Sequence, residues 1–359
     1  MKVIIIGAGV AGLAIGWQLQ LRGASVTILE RAQPASAATW ASAGMIAAGG
    51  ELGDAETPEA EFARFSSRLW PDFAKEIEEA SDHAVHYRRC GAIIVARTEA
   101  EQAAARLWQG AERIDRAQAL ALEPMLAPDI VGAIWASDEA QVDSRALGKA
   151  LALAFIRSGG ALVPNEVVLR FRIEGSRVTG VVTPFAQHEA DAFVIAAGAW
   201  SGTIEGLPPD VVPPIKPIKG EMLSVAPQGG RLPRHIVWGR ETYLVPRGDR
   251  LLIGATSEDS GFDTHVTDGG ADFLSTHARR LMPAIADWQV TERWAGLRPM
   301  SADGLPVLGR TFLDGLFLAT GQYRNGILFA PAIARHMSGI ILDCDSEIAA
   351  FDPRRFAQR

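Results

Sequence analysis

The hydrophobic pattern changes period along the chain, and the changes mark its parts. Lys2-Val-Ile-Ile-Ile6 is a short apolar, β-branched run, the composition of a strand buried on both faces. Leu13 to Leu21 has helix-former composition, with Gly23 where a helix C-cap belongs, and Ser25 to Leu29 is a second buried strand ending at the acidic Glu30. Two later runs of the same kind, Asp191 to Gly198 and Gly315 to Gly321, also end in glycine. Phe62, Phe65, Leu69, Phe73 and Ile77 form a stripe at spacings of three and four and predict a helix over Pro58 to Ala80. Further helices are predicted over Glu99 to Gly110, over Val142 to Ser158 with Asp143 or Ser144 as cap and Gly159-Gly160 as stop, and over Ile327 to Ile341. Ile114 to Ala119 and Leu120 to Leu126 read as short helical pieces broken by Pro124 and Pro128.

Strands are predicted at Ala92–Ala96, Gly132–Trp135, Ala161–Val163, Glu166–Ile173 and Arg177–Thr183. Pro208 to Pro217 holds five prolines, the strongest linker signal in the chain. Beyond it the period becomes two: Glu221–Ala226, Ile236–Trp238, Tyr243–Pro246 and Leu251–Ala255 predict an antiparallel sheet. Ala271 to Met282 is a predicted helix, and Val290 to Leu297 returns as a strand with Arg298 at its end. The order of elements is α/β, with a Rossmann-like nucleotide domain interrupted by a second domain that carries the large antiparallel sheet. The expected division gives residues 1–82, 142–215 and 299–359 to the first domain, and 83–141 and 216–298 to the second.

Composition narrows the partners. The 359 residues are 48% hydrophobic and 21% charged, an ordinary globular balance that exceeds one comfortable core. A net charge of −7 argues against nucleic acid and anionic membrane, both of which need a basic footprint. Cys90 and Cys344 stand in no metal or redox spacing, which fits a reducing cytoplasm. His83 and His86 lack a third ligand nearby, so no metal site is expected. Lys2 and the apolar run after it resemble a signal peptide, but the run to Trp17 is interrupted by glycines and is shorter than the ~18 residues of a span.

Those glycines carry chemistry. Gly7-Ala-Gly9-Val-Ala-Gly12 lies between strand and helix, with Glu30 closing the next strand, which is the dinucleotide fingerprint in its required context. Gly7 permits the tight turn, Gly9 lets backbone approach a pyrophosphate, and Gly12 lets helix pack on strand. Unpaired N–H groups of the helix N-terminus favour that anion, and Glu30 accepts from ribose hydroxyls. The fingerprint leaves NAD and FAD both open. The stretch from Arg31 to Gly50 is rich in small residues and reads either as backbone close to a flat or phosphorylated group or as a plain surface loop.

Three residues are candidates for substrate capture: Tyr243, Arg298 and Arg324. An arginine fork matches a carboxylate bidentately and a tyrosine hydroxyl adds a donor, so the set suits a small carboxylic acid. Ordinary salt bridges are the competing reading of both arginines. Glu241, two residues before Tyr243 and expected on the same strand face, is a further candidate for an ammonium partner.

The segments Gly7–Gly12, Ser42-Ala-Gly-Met-Ile46, Ala196-Ala-Gly-Ala-Trp-Ser201, Pro217-Ile-Lys-Gly-Glu-Met222, Tyr243-Leu-Val-Pro-Arg247, Gly254-Ala-Thr-Ser257, Trp294-Ala-Gly-Leu-Arg-Pro299 and Gly321-Gln-Tyr-Arg-Asn-Gly-Ile-Leu328 occur in this order. Together they resemble the FAD-dependent D-amino-acid oxidase superfamily, and within it the glycine-oxidase branch that serves thiazole assembly in thiamine biosynthesis. The resemblance runs to about residue 341. It implies FAD, bound without a covalent link because no cysteine lies in Trp294–Gly309. It also implies cofactor contacts at Gly7, Gly9, Val10, Ala11, Gly12, Glu30, Arg31, Ala38, Thr39, Ala43, Gly44, Met45 and Val168, and along Gln322, Tyr323, Arg324, Asn325, Gly326, Ile327 and Leu328. By the same resemblance Tyr243 and Arg298 clamp the substrate carboxylate and Arg324 is the second arginine, with no catalytic side chain required for hydride transfer. The implied reaction is oxidation of glycine, sarcosine or small D-amino acids by O2, with hydrogen peroxide released. The expected setting is cytoplasmic, with a homo-oligomeric state and a thiazole synthase downstream. Ser257 and Glu241 depart from the pattern, where methionine and histidine are expected.

Overall fold

The computed structural model describes residues 1–53, 55–104, 107–227, 231–343 and 347–356. Cys344 and residues 105–106 of the predicted 99–110 helix lie outside them.

A six-stranded sheet runs in the order Val307–Arg310, Leu316–Thr320, Ala192–Ile195, Lys2–Ile6, Ser25–Glu30, Ala161–Pro164. All its neighbours are parallel except the first pair. The two faces of its strands are both apolar, as the continuous runs require. Val3, Ile5 and Val194 join the core beneath helices Val10–Leu21, Pro58–Ser81, Ser144–Arg157 and Gly326–Asp343. Ile4, Ile6, Phe193 and Ile195 meet Phe171, Val178 and Val181 of a small antiparallel sheet on the other side. Helix ends follow local chemistry: Asp143 accepts from the Arg145 and Ala146 amides, and Thr57 from Ala60 ahead of Pro58.

The second sheet has eight strands in the order Gln289–Ser301, Ile215–Ala226, Arg250–Gly254, Tyr243–Arg247, Ile236–Trp238, Ala92–Ala96, Gly132–Ala136, Ala111–Asp115. It is antiparallel apart from the pairing of Ile236–Trp238 with Ala92–Ala96, where strands from two separate passes of the chain run the same way. Helix Asp268–Leu281 packs on it through Leu274, Ala278 and Leu281.

Several elements differ from expectation for identifiable reasons. Ala111–Asp115 is a strand, and the helix starts only at Arg116, because Asp115 and Gln118 form a reciprocal capping box. The helix from Glu99 is assigned as far as Ala104, and Leu107 and Trp108 lie outside any regular element. Strand Arg170–Glu174 begins later than expected, since the chain must first leave the main sheet, where the Glu166 amide bonds Glu30, and join the second layer, where Leu169 bonds Val182. Strand Gln289–Ser301 continues through Arg298 and Pro299 because Pro217 lies opposite Pro299, so neither imide interrupts a ladder bond that its partner needs. Glu241 is not on the Tyr243 strand, which begins at Tyr243 itself.

Candidate functional site

A cavity of about 580 Å³ runs between the two sheets. Every position expected to contact a cofactor or substrate lines it except Gly12 and Glu241. A Cβ on Gly12 would lie 2.0 Å from the Gly7 carbonyl oxygen, so that glycine serves helix-on-strand packing behind the wall.

At one end the groups are mostly backbone. Gly7 sits at φ +105° and donates its amide to Leu29. Gly9 precedes the helix Val10–Leu21 and provides no side-chain cap, while the Val10 amide goes to Thr39 Oγ1 at 2.9 Å. The nearest protein atom to a Cβ on Gly9 would be 3.6 Å away, so the protein itself has room for a side chain there. The missing methyl therefore matters to what lies in the cavity, and this fits a pyrophosphate drawn against bare backbone at a helix N-terminus. Glu30 accepts from the amides of Ala8 at 2.7 Å and Ala32 at 2.9 Å, which fixes its carboxylate at the wall. Arg31 lies over the Trp200 ring at 3.5 Å; burial lowers its pKa despite Glu30. Val168 is buried on the same side.

In the middle, Ala43, Gly44 and Met45 are pinned from behind. Arg247 donates to the Ala43 carbonyl at 2.6 Å and to Gln141, and the Gly44 carbonyl accepts the Val142 amide. Burial lowers the Arg247 guanidinium to about 10, with Asp143 opposing. Across the cavity a second helix starts at Gly326, so the first-turn amides of Gly326, Ile327 and Leu328 have no partner within the helix. The residues thus fit a long cofactor with an anionic middle and a flat polar-edged end.

The far end is made of side chains. Tyr243, Arg298 and Arg324, from three separate segments, converge there. Glycines make the space: a Cβ on Gly220 would meet Arg298 Nη2 at 2.3 Å, and one on Gly254 would meet the Tyr243 hydroxyl at 2.6 Å. Arg298 spends one donor on the Thr256 carbonyl at 3.1 Å. The Tyr243 hydroxyl donates to the Met222 sulfur at 3.9 Å, a weak acceptor, so its proton is available to a better one. Burial raises the Tyr243 phenol, with Arg298 pulling against it. At Tyr323 burial also raises the phenol, but hydrogen bonds with Ser257 and Arg324 outweigh it and leave the group lowered. Burial lowers Arg324, and Tyr323, Glu51 and Tyr243 outweigh it, leaving it raised.

Glu241 does not reach the cavity; it is exposed and lies 3.6 Å from His277. The acid that does reach the clamp end is Glu51, missed by the sequence reading, on the short helix Ala48–Leu52. Burial raises its carboxyl above the ordinary range, although Arg324 and Arg298 act to lower it. Glu51 is the only acid in Arg31–Gly53, which was the available signal. Trp238 and Met222 also line this end and were not singled out. Among the described residues no group of His, Cys, Asp and Glu could hold a metal ion, and no helix is long and apolar enough to cross a membrane.

The sequence matches, over residues 2–340, the family described as FAD dependent oxidoreductase. It is 36% identical to the bifunctional protein ThiO/ThiG of Trichormus variabilis across 99% of this chain and 55% of that protein. This chain therefore spans about half the length of that relative. It is 33% identical to glycine oxidase of Geobacillus kaustophilus, across 99% of this chain and 96% of that one. A crystal structure of glycine oxidase from Geobacillus kaustophilus superposes with a TM-score of 0.91, covering 99% of this chain and 100% of the other.

Proposed function

The chain belongs to the FAD dependent oxidoreductase family, and on that premise we propose that it oxidises glycine and other small amines such as sarcosine and D-alanine. Glycine, O2 and water would give glyoxylate, ammonium and hydrogen peroxide, in the cytoplasm, serving the thiazole branch of thiamine biosynthesis beside a thiazole synthase. Its cofactor is FAD, held without a covalent link. When bound, the flavin supplies the two-electron oxidation, taking hydride from the substrate Cα and passing electrons to O2.

The observation that carries this reading is the convergence of the half-buried Tyr243, Arg298 and Glu51 with the more exposed Arg324 at one end of the cavity. Arg298 offers a planar fork and Tyr243 a free hydroxyl proton, which together bind a carboxylate bidentately with a third donor. Arg324 adds positive charge behind Tyr323. Glu51 then faces the substrate ammonium, and its raised pKa suits it to take the proton that must leave before the amine lone pair can drive oxidation. The cluster positions the substrate, and positioning supplies most of the catalysis. The nucleotide contacts assigned by resemblance, from Gly7 to Val168 and along Gln322–Leu328, are part of the same proposal, as is a homo-oligomeric state.

The test is to purify the flavoprotein and add glycine, sarcosine and several D- and L-amino acids, following flavin bleaching and peroxide. Bleaching with peroxide by glycine is the expected result. Bleaching without peroxide would instead indicate a dehydrogenase, and no bleaching with any amine would end the proposal.

A further inference from the structure

Glu51 is carried by a segment that cannot hold itself. Ala48–Leu52 is a five-residue helix, too short to persist alone, and Ala47 before it has no side-chain cap. Its anchor comes from far along the chain. Oε1 of Glu139 accepts from the Gly49 amide at 3.1 Å and the Gly50 amide at 2.9 Å, so one remote carboxyl caps the short helix. Glu139 is itself 5% exposed, and its own carbonyl accepts the Cys90 and Gly91 amides at 3.2 and 2.8 Å. Two indoles complete the seat. A Cβ on Gly49 would lie 1.8 Å from Trp108 Nε1, and one on Gly50 1.9 Å from Trp238 Cζ3, so the segment fits only without side chains at both positions. Trp238 in turn meets the Tyr243 ring edge-on at 6.5 Å. Seat, acid and substrate clamp are thus contiguous.

We propose that Glu139 is a positioning residue for the substrate amine: by capping Ala48–Leu52 it holds the Glu51 carboxylate opposite Arg298 and Arg324, and so favours an amine over a hydroxyl on the same small carboxylic acid. This rests on the amine oxidation proposed above. Both amides donate to one oxygen, so an amide side chain at residue 139 can replace the carboxyl, whereas a thioether of similar length cannot.

The test compares Glu139→Met and Glu139→Gln in the FAD-loaded protein. Three quantities are read: amide exchange over residues 48–53, KM for glycine, and Ki for glycolate, which keeps the carboxylate and lacks the amine. Glu139→Met is expected to speed exchange in the segment and raise the glycine KM about tenfold while leaving the glycolate Ki within about twofold. Glu139→Gln should match the natural chain on all three. Adding Glu51→Gln to Glu139→Met should raise KM no further than Glu51→Gln alone, since both act through one contact. Unchanged exchange, multiplying effects, or a parallel loss of glycolate binding would overturn the proposal. If Glu139→Met does not fold, Glu139→Ala, which admits water in place of the carboxyl, takes its place. Should the natural chain oxidise no amine, the functional reading fails, and the selectivity part of this inference with it; the exchange measurement still decides the anchoring.

Discussion

The fingerprint end of the cavity and the clamp end differ in what they present. At the fingerprint end the presented groups are mostly backbone amides, and the acid Glu30 has its oxygens tied to the Ala8 and Ala32 amides. At the clamp end the working groups are side chains from residues 51, 243, 298 and 324, each with a shifted pKa or a guanidinium that shifts its neighbours. Backbone placed by regular structure is rigid and its fixed dipoles do not titrate. Clustered side chains can match charge developing in a reaction, but they depend on burial and on each other.

Removing a charge at the clamp end should give the largest effect. Arg298→Ala is expected to raise KM for glycine roughly 100- to 1,000-fold with FAD still bound, because truncating one partner of a desolvated charge pair costs about 3–4 kcal/mol. Steady-state kinetics alongside the flavin spectrum checks this, and an unchanged KM would remove Arg298 from the clamp. Gly9→Val probes the other end. Its side chain has space among protein atoms but projects where the cofactor is proposed to lie, so FAD affinity should fall about tenfold or more while the melting temperature of the apoprotein holds. Equal losses in both would show that Gly9 serves the fold instead. Gly220→Ala should act more gently: the added methyl pushes the Arg298 guanidinium, the mobile end of its chain, and KM should rise about tenfold with little change in FAD binding.

A pH-dependent effect concerns Glu139, whose carboxyl is raised by burial to about 7 against an ordinary 4.5. Glu51 and Asp138 add to the rise, the Gly49 and Gly50 amides oppose it, and Arg89 lies 3.7 Å from Asp138. The folded chain thus keeps a proton that the unfolded chain has lost between those values. The associated stability is full below the unfolded value and lost as pH rises through 7. Glu139→Gln, which cannot ionise, should gain on the natural chain in thermal melts above pH 7, by up to about 3 kcal/mol. A difference independent of pH would mean that Glu139 does not titrate there.

What could be read from the sequence follows the same divide. The fingerprint end is local: strand, turn, helix and acid lie within Lys2–Glu30, and each residue type has one physical reason. The buried strands running toward Gly198 and Gly321 were readable from composition, although the first stops at Ile195 and Gly198 opens a 3-10 turn. The clamp end is assembled from segments far apart, and from the residues alone both Arg298 and Arg324 were open to being salt bridges, Arg324 the more so; the family resemblance brought them together. Glu51 was hidden because short-range pattern gives a small-residue stretch no fixed direction, and its anchor Glu139 lies 90 and 89 positions from the two amides it accepts. Glu241 was chosen on strand parity, and the parity fails because Thr242 closes a turn, accepting the Gly239 amide and bonding the Gly254 carbonyl.

The proline pair that lets the 289–301 strand run on has a further consequence. One residue past Arg298, the Pro299 carbonyl accepts the Tyr323 amide at 2.9 Å, and Met300 bridges Gln322. The strand bearing the proposed carboxylate anchor and the loop expected against the flavin are therefore stitched together by main chain. The distance between them is gauged by a peptide ladder, as on a fixed calliper, and does not vary with how two lobes happen to dock. On the proposed function, an acid whose reacting carbon lies one bond from its carboxylate would be held to that gauge, and one with a longer spacer would overshoot it, however well its charges were matched.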